Sequence, residues 1–304
     1  MTEKKTLYIS DLDGTLLNKN ATLSAYTKDA LNKFAARGIH FTVATGRTTD
    51  AAKQIMAGVE LSVPIVTFNG TILYDTMQDS YVKVYHLTDD AVRSILAVLK
   101  THGVTGLAYE CRDGTLTAYY EPLTRNPICD FMEDRSARYR SVFRRTDDFR
   151  SLSPEHIMYF SLLDTYDHIW PVYHALKSLP GMNLALVDDE YGSDLWFLEV
   201  FSAEASKQHA VTFLRKEYGY ESVVGFGDNS NDLPMFKACD VRVAVRNAKD
   251  DVRAAADCIC PSYAEDGVVK WIERNISEDL SPSPTDGHHF GQHWVEIQAN
   301  RGHI

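Results

Sequence analysis

Two carboxylates lie two residues apart near the start of the chain, in the segment DLDGT at 11–15. The apolar run LYI at 7–9 precedes them and favours a buried strand that ends at the carboxylates. Residues two apart in an extended chain point to the same side, so Asp11 and Asp13 place two negative charges close together. Such a pair needs a cation, a shared proton or a division of labour. Taken alone, the segment is equally typical of a solvated Asx turn after a strand.

A division of labour between these two carboxylates suits phosphoryl transfer. Asp11 would attack phosphorus and become an aspartyl phosphate, while Asp13 would protonate the leaving oxygen and later activate water. A magnesium ion held by oxygen ligands would neutralise the pair and attract a phosphate. The spacing therefore suits a Mg²⁺-dependent covalent mechanism on a phosphate ester, and the other polar segments must decide between this mechanism and the turn.

Two further segments offer groups that would hold a phosphate. The Thr45 hydroxyl and nearby backbone N–H groups follow an apolar stretch at 40–44, where they would contact phosphoryl oxygens. An ordinary strand-to-helix turn uses the same residues, and Arg47 is either a ligand contact or a surface cation. Lys207 begins a predicted helix, where its ammonium would either neutralise charge beside the nucleophile or simply be solvated.

A last polar segment, GDNSND at 227–232, directly follows the apolar run VVGF. Asp228 offers a hard oxygen ligand to Mg²⁺. Asn231 and Asp232 would orient metal-bound water or the lysine without binding the ion themselves. The same letters also suit a polar turn that caps the next helix.

The elements around these segments alternate between strands and helices, which indicates an α/β fold with a parallel sheet. In such sheets ligands bind at the carboxyl ends of the strands, where all the polar segments fall. Ser24 is a predicted N-cap, and Gly38 a predicted stop for the first helix. The pattern predicts strands at 7–9, 40–44, 65–68, 195–200, 223–226 and 241–245, and helices at 24–37, 50–57, 207–218 and near 233.

Between the two alternating regions, residues 83–194 have a mixed pattern that predicts an inserted second domain. Its basic stretch at 135–145 would either meet a second phosphate or carboxylate or, as we favour, form a solvated face. The segment 277–304 is rich in Ser, Pro and Asp, which predicts a flexible tail. Its four histidines lack the spacing of a metal site.

The net charge of −11 argues against a broad contact with nucleic acid, which needs clustered cations. No apolar run reaches the ~18 residues of a membrane span, and no secretory signal begins the chain, so we expect a cytoplasmic protein. The five cysteines have neither CxxC nor zinc-type spacing, and we expect reduced thiols. A small ligand is therefore expected in place of nucleic acid, and the phosphate chemistry of the segments above makes a small phosphorylated metabolite the expected partner.

In their order and placement these segments resemble the haloacid dehalogenase superfamily, specifically its Cof-type phosphatases with a large cap. The resemblance rests on DLDGTL at 11–16, ATGR at 44–47, NG at 69–70, Lys207 and GDNSND at 227–232. It implies a Rossmann-like parallel-sheet core at 1–82 and 195–276, with an inserted α+β cap at 83–194 that governs specificity. Arg246 and Asp240 depart from the family pattern, which often has glycine at both positions.

The resemblance also implies roles for individual residues. Asp11 is the implied nucleophile and Asp13 the implied acid and base, assisted by Thr45 and Lys207. Mg²⁺ would be bound by Asp11, the backbone carbonyl of Asp13 and Asp228, with Asn231 and Asp232 as outer support. The implied substrate contacts are Thr45, Gly46, Arg47, Asn69, Gly70 and Lys207.

The expected function is hydrolysis of small phosphomonoesters, either sugar phosphates or phosphorylated cofactors such as pyridoxal phosphate or FMN. A sugar phosphomutase or phosphotransferase would use the same aspartyl phosphate. A non-catalytic protein that binds a phosphorylated metabolite is the alternative outside enzymology. Neither the substrate nor the oligomeric state follows from the sequence.

Overall fold

A computed structural model describes residues 5–122, 127–139, 142–188 and 194–278. The tail predicted to be flexible, with its histidines, falls outside these residues except for its first two positions. Along the chain the strands and helices are β1 (Thr6–Ser10), α1 (Ala25–Ala36), β2 (His40–Val43), α2 (Thr49–Ile55), β3 (Ile65–Thr67), β4 (Ile72–Asp75), β5 (Ser80–Val84), α3 (Asp89–His102), β6 (Leu107–Arg112), β7 (Thr115–Tyr120), α4 (Pro127–Tyr139), β8 (Phe143–Arg145), β9 (Ile157–Thr165), α5 (Tyr166–Lys177), β10 (Met182–Asp188), β11 (Leu195–Ser202), α6 (Lys207–Tyr218), β12 (Ser222–Gly227), α7 (Leu233–Ala238), β13 (Val241–Val245), α8 (Asp250–Ala255), β14 (Cys258–Cys260) and α9 (Gly267–Glu278).

The first sheet has the strand order β14-β13-β12-β1-β2, and every pair within it is parallel. Leu7 and Ile9 of β1 are completely buried, as expected for a central strand with helices on both faces. The predicted parallel sheet is therefore confirmed. Its strands β1, β2 and β12 carry Asp11, Thr45 and Asp228 just beyond their carboxyl ends.

Local signals fixed the helices that support this sheet. The Ser24 hydroxyl accepts a hydrogen bond from the backbone N–H of Thr27, which caps α1 as predicted. Helix α6 spans the predicted residues 207–218, and Ser206 caps its start in the same way. It ends at Gly219, whose φ of 67° is the left-handed conformation that glycine adopts without strain.

A second, six-stranded sheet has the order β10-β11-β9-β6-β7-β8, with antiparallel pairs except between β7 and β8. One of its faces packs against α3 and α5 to form a separate apolar core that includes Ile95, Ile169 and Leu198. The opposite face points toward the carboxyl edge of the parallel sheet. The six-stranded sheet thus provides a second wall above the polar segments.

The strand predicted at 195–200 forms, but its predicted membership of the parallel sheet is wrong. It is β11, which pairs antiparallel with β9 and β10. An apolar run shows that a strand is buried without showing which partner buries it. Strand β3 also differs from the simple pattern, since it pairs antiparallel with β4 and joins the parallel sheet through a bridge between Ala44 and Val66.

The five cysteines are free thiols, in agreement with the sequence. Across the described ranges, no helix combines the length and apolar character needed to cross a membrane.

Candidate active site

The polar segments converge because the strands that carry them are parallel neighbours. Asp11 leaves β1 with its N–H bonded to the carbonyl of Phe226 on β12, at 2.9 Å. Thr45 leaves β2 with its N–H bonded to the carbonyl of Val66, also at 2.9 Å. Both side chains are buried at this edge. Residues more than 200 positions apart in the chain are thereby brought into one site.

Lys207 lies at the centre of this edge and is only 2% exposed. Its Nζ donates to Oδ1 of Asp11 at 2.6 Å and to Oδ1 of Asp232 at 2.7 Å. Burial works to lower the pKa of Lys207, but the charges of the two carboxylates outweigh burial and raise it. The ammonium therefore stays charged beside Asp11.

Three carboxylates, those of Asp11, Asp228 and Asp232, have oxygen atoms within 4.8 Å of one another. Burial raises the pKa of Asp11 well above its usual value, and the nearby charges of Asp232 and Asp13 add to this, while Lys207 opposes it. One ammonium among these carboxylates leaves an excess of negative charge. A cation with a preference for oxygen ligands suits such a cluster.

The two oxygens of Asp232 are already engaged by protein donors. Oδ1 accepts from Lys207, and Oδ2 accepts the backbone N–H groups of Asp228 and Asn229 at 3.0 and 3.1 Å. Asp232 is fully buried. Its carboxylate thus orients Lys207 and the loop that carries Asp228.

Gly14 and Thr15 hold the Asp228 carboxylate from the opposite side. The Thr15 hydroxyl donates to Oδ1 of Asp228 at 2.5 Å. Gly14 has a φ of +70°, and a Cβ atom there would lie 2.3 Å from Oδ2 of Asp228. Only glycine permits this approach, so the glycine turn and the carboxylate are fitted to each other. This role of Thr15 was not evident from the DLDGT motif alone.

Asp13 faces Arg47 in a two-point ion pair. Arg47 donates from Nε to Oδ2 at 2.6 Å and from Nη2 to Oδ1 at 2.5 Å. The Arg47 side chain is only 9% exposed and also donates from Nη1 to the hydroxyl of Tyr139 at 3.0 Å. The alternative in which Arg47 is a solvated surface cation is therefore wrong.

Asn69 joins the parallel sheet to the six-stranded sheet. Its Nδ2 donates to the hydroxyl of Tyr159 at 2.9 Å and to Oε2 of Glu199 at 2.5 Å. Asn231 donates to Oδ1 of Asn69 at 3.4 Å. Asn69 has a φ of 55°, an uncommon left-handed conformation outside glycine that often marks a functional loop.

Gly70 is predicted to contact substrate, but in the structure it packs against the protein backbone. Its φ is +98°, and a Cβ atom would lie 2.2 Å from the carbonyl oxygen of Ser206. Gly70 therefore packs against the backbone that leads into Lys207. It supports the position of the lysine from behind, and it does not line the cavity formed by the described residues.

A cavity of about 640 Å³ separates the two sheets. We call its lower surface the floor, formed by Asp11, Asp13, Thr45, Gly46, Arg47, Thr48, Ala51, Phe68 and Asn231. The sheet wall is formed by Tyr109, Tyr159, Ser161, Leu163, Val187, Asp188, Leu195, Phe197 and Glu199. The α4 wall is formed by Pro127, Asp130, Phe131, Asp134 and Arg135.

Several predicted residues lie just behind this lining instead of within it. Lys207, Asp228 and Asp232 form the buried layer under the floor, and Asn69 lies at the junction of the floor and the sheet wall. Of the basic stretch, Arg135 lines the cavity, whereas the Arg138 and Arg145 side chains are 58% and 62% exposed. The preference for a solvated face holds for the last two but not for Arg135.

Glu199 is a carboxylate of the sheet wall whose role was not evident from the sequence. Burial raises its pKa to about 7, although hydrogen bonds from Tyr159 and Asn69 work in the opposite direction. The single signal in the sequence was an acidic residue inside an apolar strand, WFLEVF at 196–201. Its meaning depended on knowing which sheet the strand joins.

The two departures from the family pattern lie outside the cavity. Arg246 is 65% exposed and donates to Oε2 of Glu265 at 2.9 Å. Asp240 accepts the backbone N–H of Val223 at 2.8 Å and pairs with Arg215 at 3.0 Å. Asp240 therefore stabilises the start of β12. Neither Arg246 nor Asp240 belongs to the floor or to the walls described above.

The family model for haloacid dehalogenase-like hydrolases matches residues 8–272. A 5-amino-6-(5-phospho-D-ribitylamino)uracil phosphatase, YwtE of Bacillus subtilis, is 25% identical, with 88% of this chain and 96% of the relative covered. The pyridoxal phosphate phosphatase YbhA of Escherichia coli is 26% identical, with 88% and 97% covered. A haloacid dehalogenase-like hydrolase from Bacteroides thetaiotaomicron has the same fold, with a TM-score of 0.73, 24% identity, and 90% and 100% of the two chains covered.

Proposed function

The chain belongs to the haloacid dehalogenase-like hydrolase family, and from this we propose that it is a Mg²⁺-dependent phosphatase acting on small phosphomonoesters. One observation carries the proposal: the Asp11 carboxylate at the cavity floor is bonded to the buried ammonium of Lys207. This pair provides a nucleophile and a fixed positive charge at one point. Relatives named as phosphatases of pyridoxal phosphate and of a ribitylaminouracil phosphate support the same reaction class.

The carboxylate cluster fits Mg²⁺, because its donors are hard oxygens and its negative charge exceeds that of Lys207. We propose that Asp11, Asp228 and the backbone carbonyl of Asp13 hold the ion. When bound, Mg²⁺ would offset charge on the phosphoryl oxygens. Asp232 stays outside this ligand set, since its oxygens are engaged by Lys207 and two backbone N–H groups.

In the first step the Asp11 carboxylate attacks phosphorus while the ester bond to the leaving oxygen breaks. Asp13, in its protonated form, transfers its proton to that oxygen, so the alcohol leaves neutral. Lys207 neutralises charge that develops beside Asp11, and its position is fixed before the substrate arrives. The product of this step is an aspartyl phosphate on Asp11.

In the second step water attacks the phosphorus of this aspartyl phosphate. The Asp13 carboxylate takes a proton from the water, the bond between phosphorus and Asp11 breaks, and phosphate leaves. Arg47 donates two hydrogen bonds to the Asp13 carboxylate, which fixes the orientation of that carboxylate between the steps. The Thr45 hydroxyl and the Gly46 N–H would contact the phosphoryl oxygens.

We further propose that the six-stranded sheet with α3, α4 and α5 acts as a cap that selects the leaving group. With β11 assigned to it, this unit extends to Ser202, beyond the predicted boundary at 194. The five free thiols suit the reducing conditions of the cytoplasm, where we place the protein. Its partner is a small phosphorylated metabolite.

The test is phosphate release from a panel of phosphomonoesters with Mg²⁺ or with EDTA, for wild type and Asp11→Asn. Asp29→Asn serves as the control, because its carboxylate is 63% exposed and lies on α1. We expect metal-dependent release that Asp11→Asn abolishes and Asp29→Asn retains, together with a phosphorylated Asp11 in acid-quenched wild type by mass spectrometry. Isomerised sugar phosphate without net release would indicate a mutase. Equal release by Asp11→Asn would exclude the covalent mechanism.

A further inference from the structure

We propose that the substrate's leaving group is a flat heteroaromatic ring system without additional negative charge. It would be held between the sheet wall and the α4 wall. This inference rests on the proposed phosphatase function, and it names which phosphomonoesters the cavity accepts. It follows from the register of the sheet wall, the rings around the cavity and the distribution of charge.

The register of β9 and β11 determines which side chains face the floor. Leu163 is paired with Phe197, and Ser161 with Glu199, so these four side chains share one face of the sheet. All four line the cavity. Their alternating partners, such as Leu198, point to the apolar core under α3 and α5. The apolar side chains of the wall opposite the floor are Leu163, Val187, Leu195 and Phe197. Its polar groups are the Ser161–Glu199 pair, the carboxylate of Asp188 and the hydroxyls of Tyr109 and Tyr159.

The carboxylate of Glu199 in that pair is already hydrogen-bonded to other protein side chains. It accepts from Asn69, and a hydrogen bond also joins it to the hydroxyl of Tyr159. A sugar needs many hydrogen-bond partners, because each buried hydroxyl without one costs free energy. The apolar part of the sheet wall, at Leu163, Val187 and Phe197, does not supply them. It supplies flat apolar surface instead.

Aromatic rings continue this surface onto α4. The rings of Phe131 and Phe197 have centroids 5.6 Å apart at an angle of 65°, so the two walls meet edge to face. Phe68 makes similar edge contacts with Tyr109 and Tyr159, both at 5.0 Å. Rings in these arrangements favour another planar π-system in offset or edge-on contact.

Arg135 supplies hydrogen-bond donors for the heteroatoms of such a ring. Its guanidinium carbon lies 4.9 Å from the centre of the Phe131 ring and 5.3 Å from that of Tyr139. Among the described residues, the carboxylate nearest to Arg135 is that of Asp134 at 3.7 Å, and Asp134 binds Arg138 more closely, at 2.5 Å. A guanidinium carries its N–H groups in one plane, which suits an oxygen or nitrogen on a ring edge.

The charges around the walls disfavour a second phosphate. The carboxylates of Asp130, Asp134 and Asp188 line the cavity together with Glu199, against the single cation of Arg135 among the lining residues described for these two walls. Asp188 pairs with Lys249 at 2.6 Å and Asp134 with Arg138 at 2.5 Å, which leaves Asp130 and Glu199 against Arg135 and no excess of positive charge on the walls for a second phosphate. Bisphosphates would bring like charges together in a partly buried space, at a cost in binding.

The test compares esters of primary alcohols, whose leaving oxygens have similar reactivity. Pyridoxal 5′-phosphate and riboflavin 5′-phosphate represent the heteroaromatic class. Ribose 5-phosphate, glucose 6-phosphate and fructose 1,6-bisphosphate represent the competing classes, and p-nitrophenyl phosphate reports the core chemistry. kcat/KM is measured for wild type, Phe197→Ala, Phe197→Leu and Trp170→Ala. Trp170 is the matched control, an aromatic side chain of α5 that is 39% exposed and not part of either wall.

We expect the heteroaromatic esters to exceed the sugar phosphates in kcat/KM by roughly tenfold or more, and the bisphosphate to be poorest. Phe197→Ala should lower kcat/KM for the heteroaromatic esters by about tenfold, mainly by raising KM. The kcat/KM for ribose 5-phosphate should change much less. Phe197→Leu, which keeps the apolar volume, should retain folding but show the same selective loss. Trp170→Ala should match wild type.

Different outcomes separate this inference from the function on which it rests. Turnover that favours sugar phosphates or the bisphosphate, or an equal loss for all esters in both Phe197 variants, would overturn the ring-binding inference and leave the phosphatase intact. Failure to hydrolyse every ester, p-nitrophenyl phosphate included, would overturn both. Riboflavin binding by wild type, followed by fluorescence quenching and weakened in Phe197→Leu, would support the inference independently of turnover.

Discussion

The guanidinium of Arg47 donates two hydrogen bonds to the carboxylate of Asp13, with N···O distances of 2.6 and 2.5 Å. The two residues are adjacent because β1 and β2 are parallel neighbours whose ends meet at one edge. Such a fork fixes the orientation of the carboxylate as well as its place, which a single hydrogen bond does not. The proposed acid and base of the reaction is thus held by a residue from the next strand.

Arg47→Lys should therefore lower kcat by roughly tenfold to a hundredfold, because an ammonium offers a point charge in place of the fork. KM should change less. The measurement is steady-state phosphate release, with Arg138→Lys as the control, since Arg138 is 58% exposed. An unchanged kcat in Arg47→Lys would show that the two-point contact has no part in turnover.

Lys207→Met should strongly destabilise the protein. It leaves the carboxylates of Asp11 and Asp232 buried without their cation, for which a cost of about 3–5 kcal/mol is typical. Urea unfolding measures the loss. Lys33→Met is the comparison, since Lys33 pairs with Asp29 on the surface of α1 with 70% of its side chain exposed. Equal midpoints for the two variants would contradict the electrostatic account of the buried pair.

Glu199 should make stability depend on pH. Its pKa is raised from 4.5 to about 7 in the folded protein, so between these values the folded state binds more protons than the unfolded state. Stability from this group is therefore present at low pH and is lost as pH rises from about 4.5 to 7. Relative to Glu199→Gln, wild type should lose up to about 3 kcal/mol between pH 4.5 and pH 8.

Urea unfolding of wild type and Glu199→Gln at several pH values tests this expectation. Other titrating groups affect both proteins, so the difference between the two curves isolates Glu199. A difference that does not vary with pH, or that grows in favour of wild type as pH rises, would exclude the assigned ionisation.

Gly14→Ala should weaken Mg²⁺ binding. The added Cβ would lie 2.3 Å from Oδ2 of Asp228, so the proposed metal ligand must move. We expect the Mg²⁺ concentration for half-maximal activity to rise by about tenfold or more, the size of effect seen when the support of a ligand is lost. Calorimetric titration with Mg²⁺ provides a readout that does not depend on turnover.

Gly38→Ala is the matched control for this change. Gly38 has a similar φ of +75°, but a Cβ atom there would meet nothing within 4 Å. Both variants carry the same backbone strain of about 1 kcal/mol, and only Gly14→Ala carries the clash. Equal Mg²⁺ dependence in the two would mean that strain alone explains the effect.

Much of the fold was determined locally and could be predicted from the sequence. The cap at Ser24 and the helix at 207–218 depend on neighbours within a few residues, and both form as predicted. The polar segments at 11–15, 45–47 and 227–232 each follow a strand, and parallel strands place their carboxyl ends together by rule. The convergence of Asp11, Thr45 and Asp228 at one edge thus matches an expectation drawn from the chain alone.

What the tertiary structure decided is the pairing of strands and everything that depends on it. The sequence predicts β11 as one more strand of the parallel sheet, but it pairs with β9 and β10. This pairing places the side chains of Phe197 and Glu199 toward the cavity. The sequence predicts Gly70 as part of a substrate-binding turn, but in the structure the carbonyl oxygen of Ser206 occupies the space beside its Cα. The physical reason is common to both cases: a local pattern encodes burial and backbone preference, whereas the identity of the burying partner is a long-range contact that no short window of sequence contains.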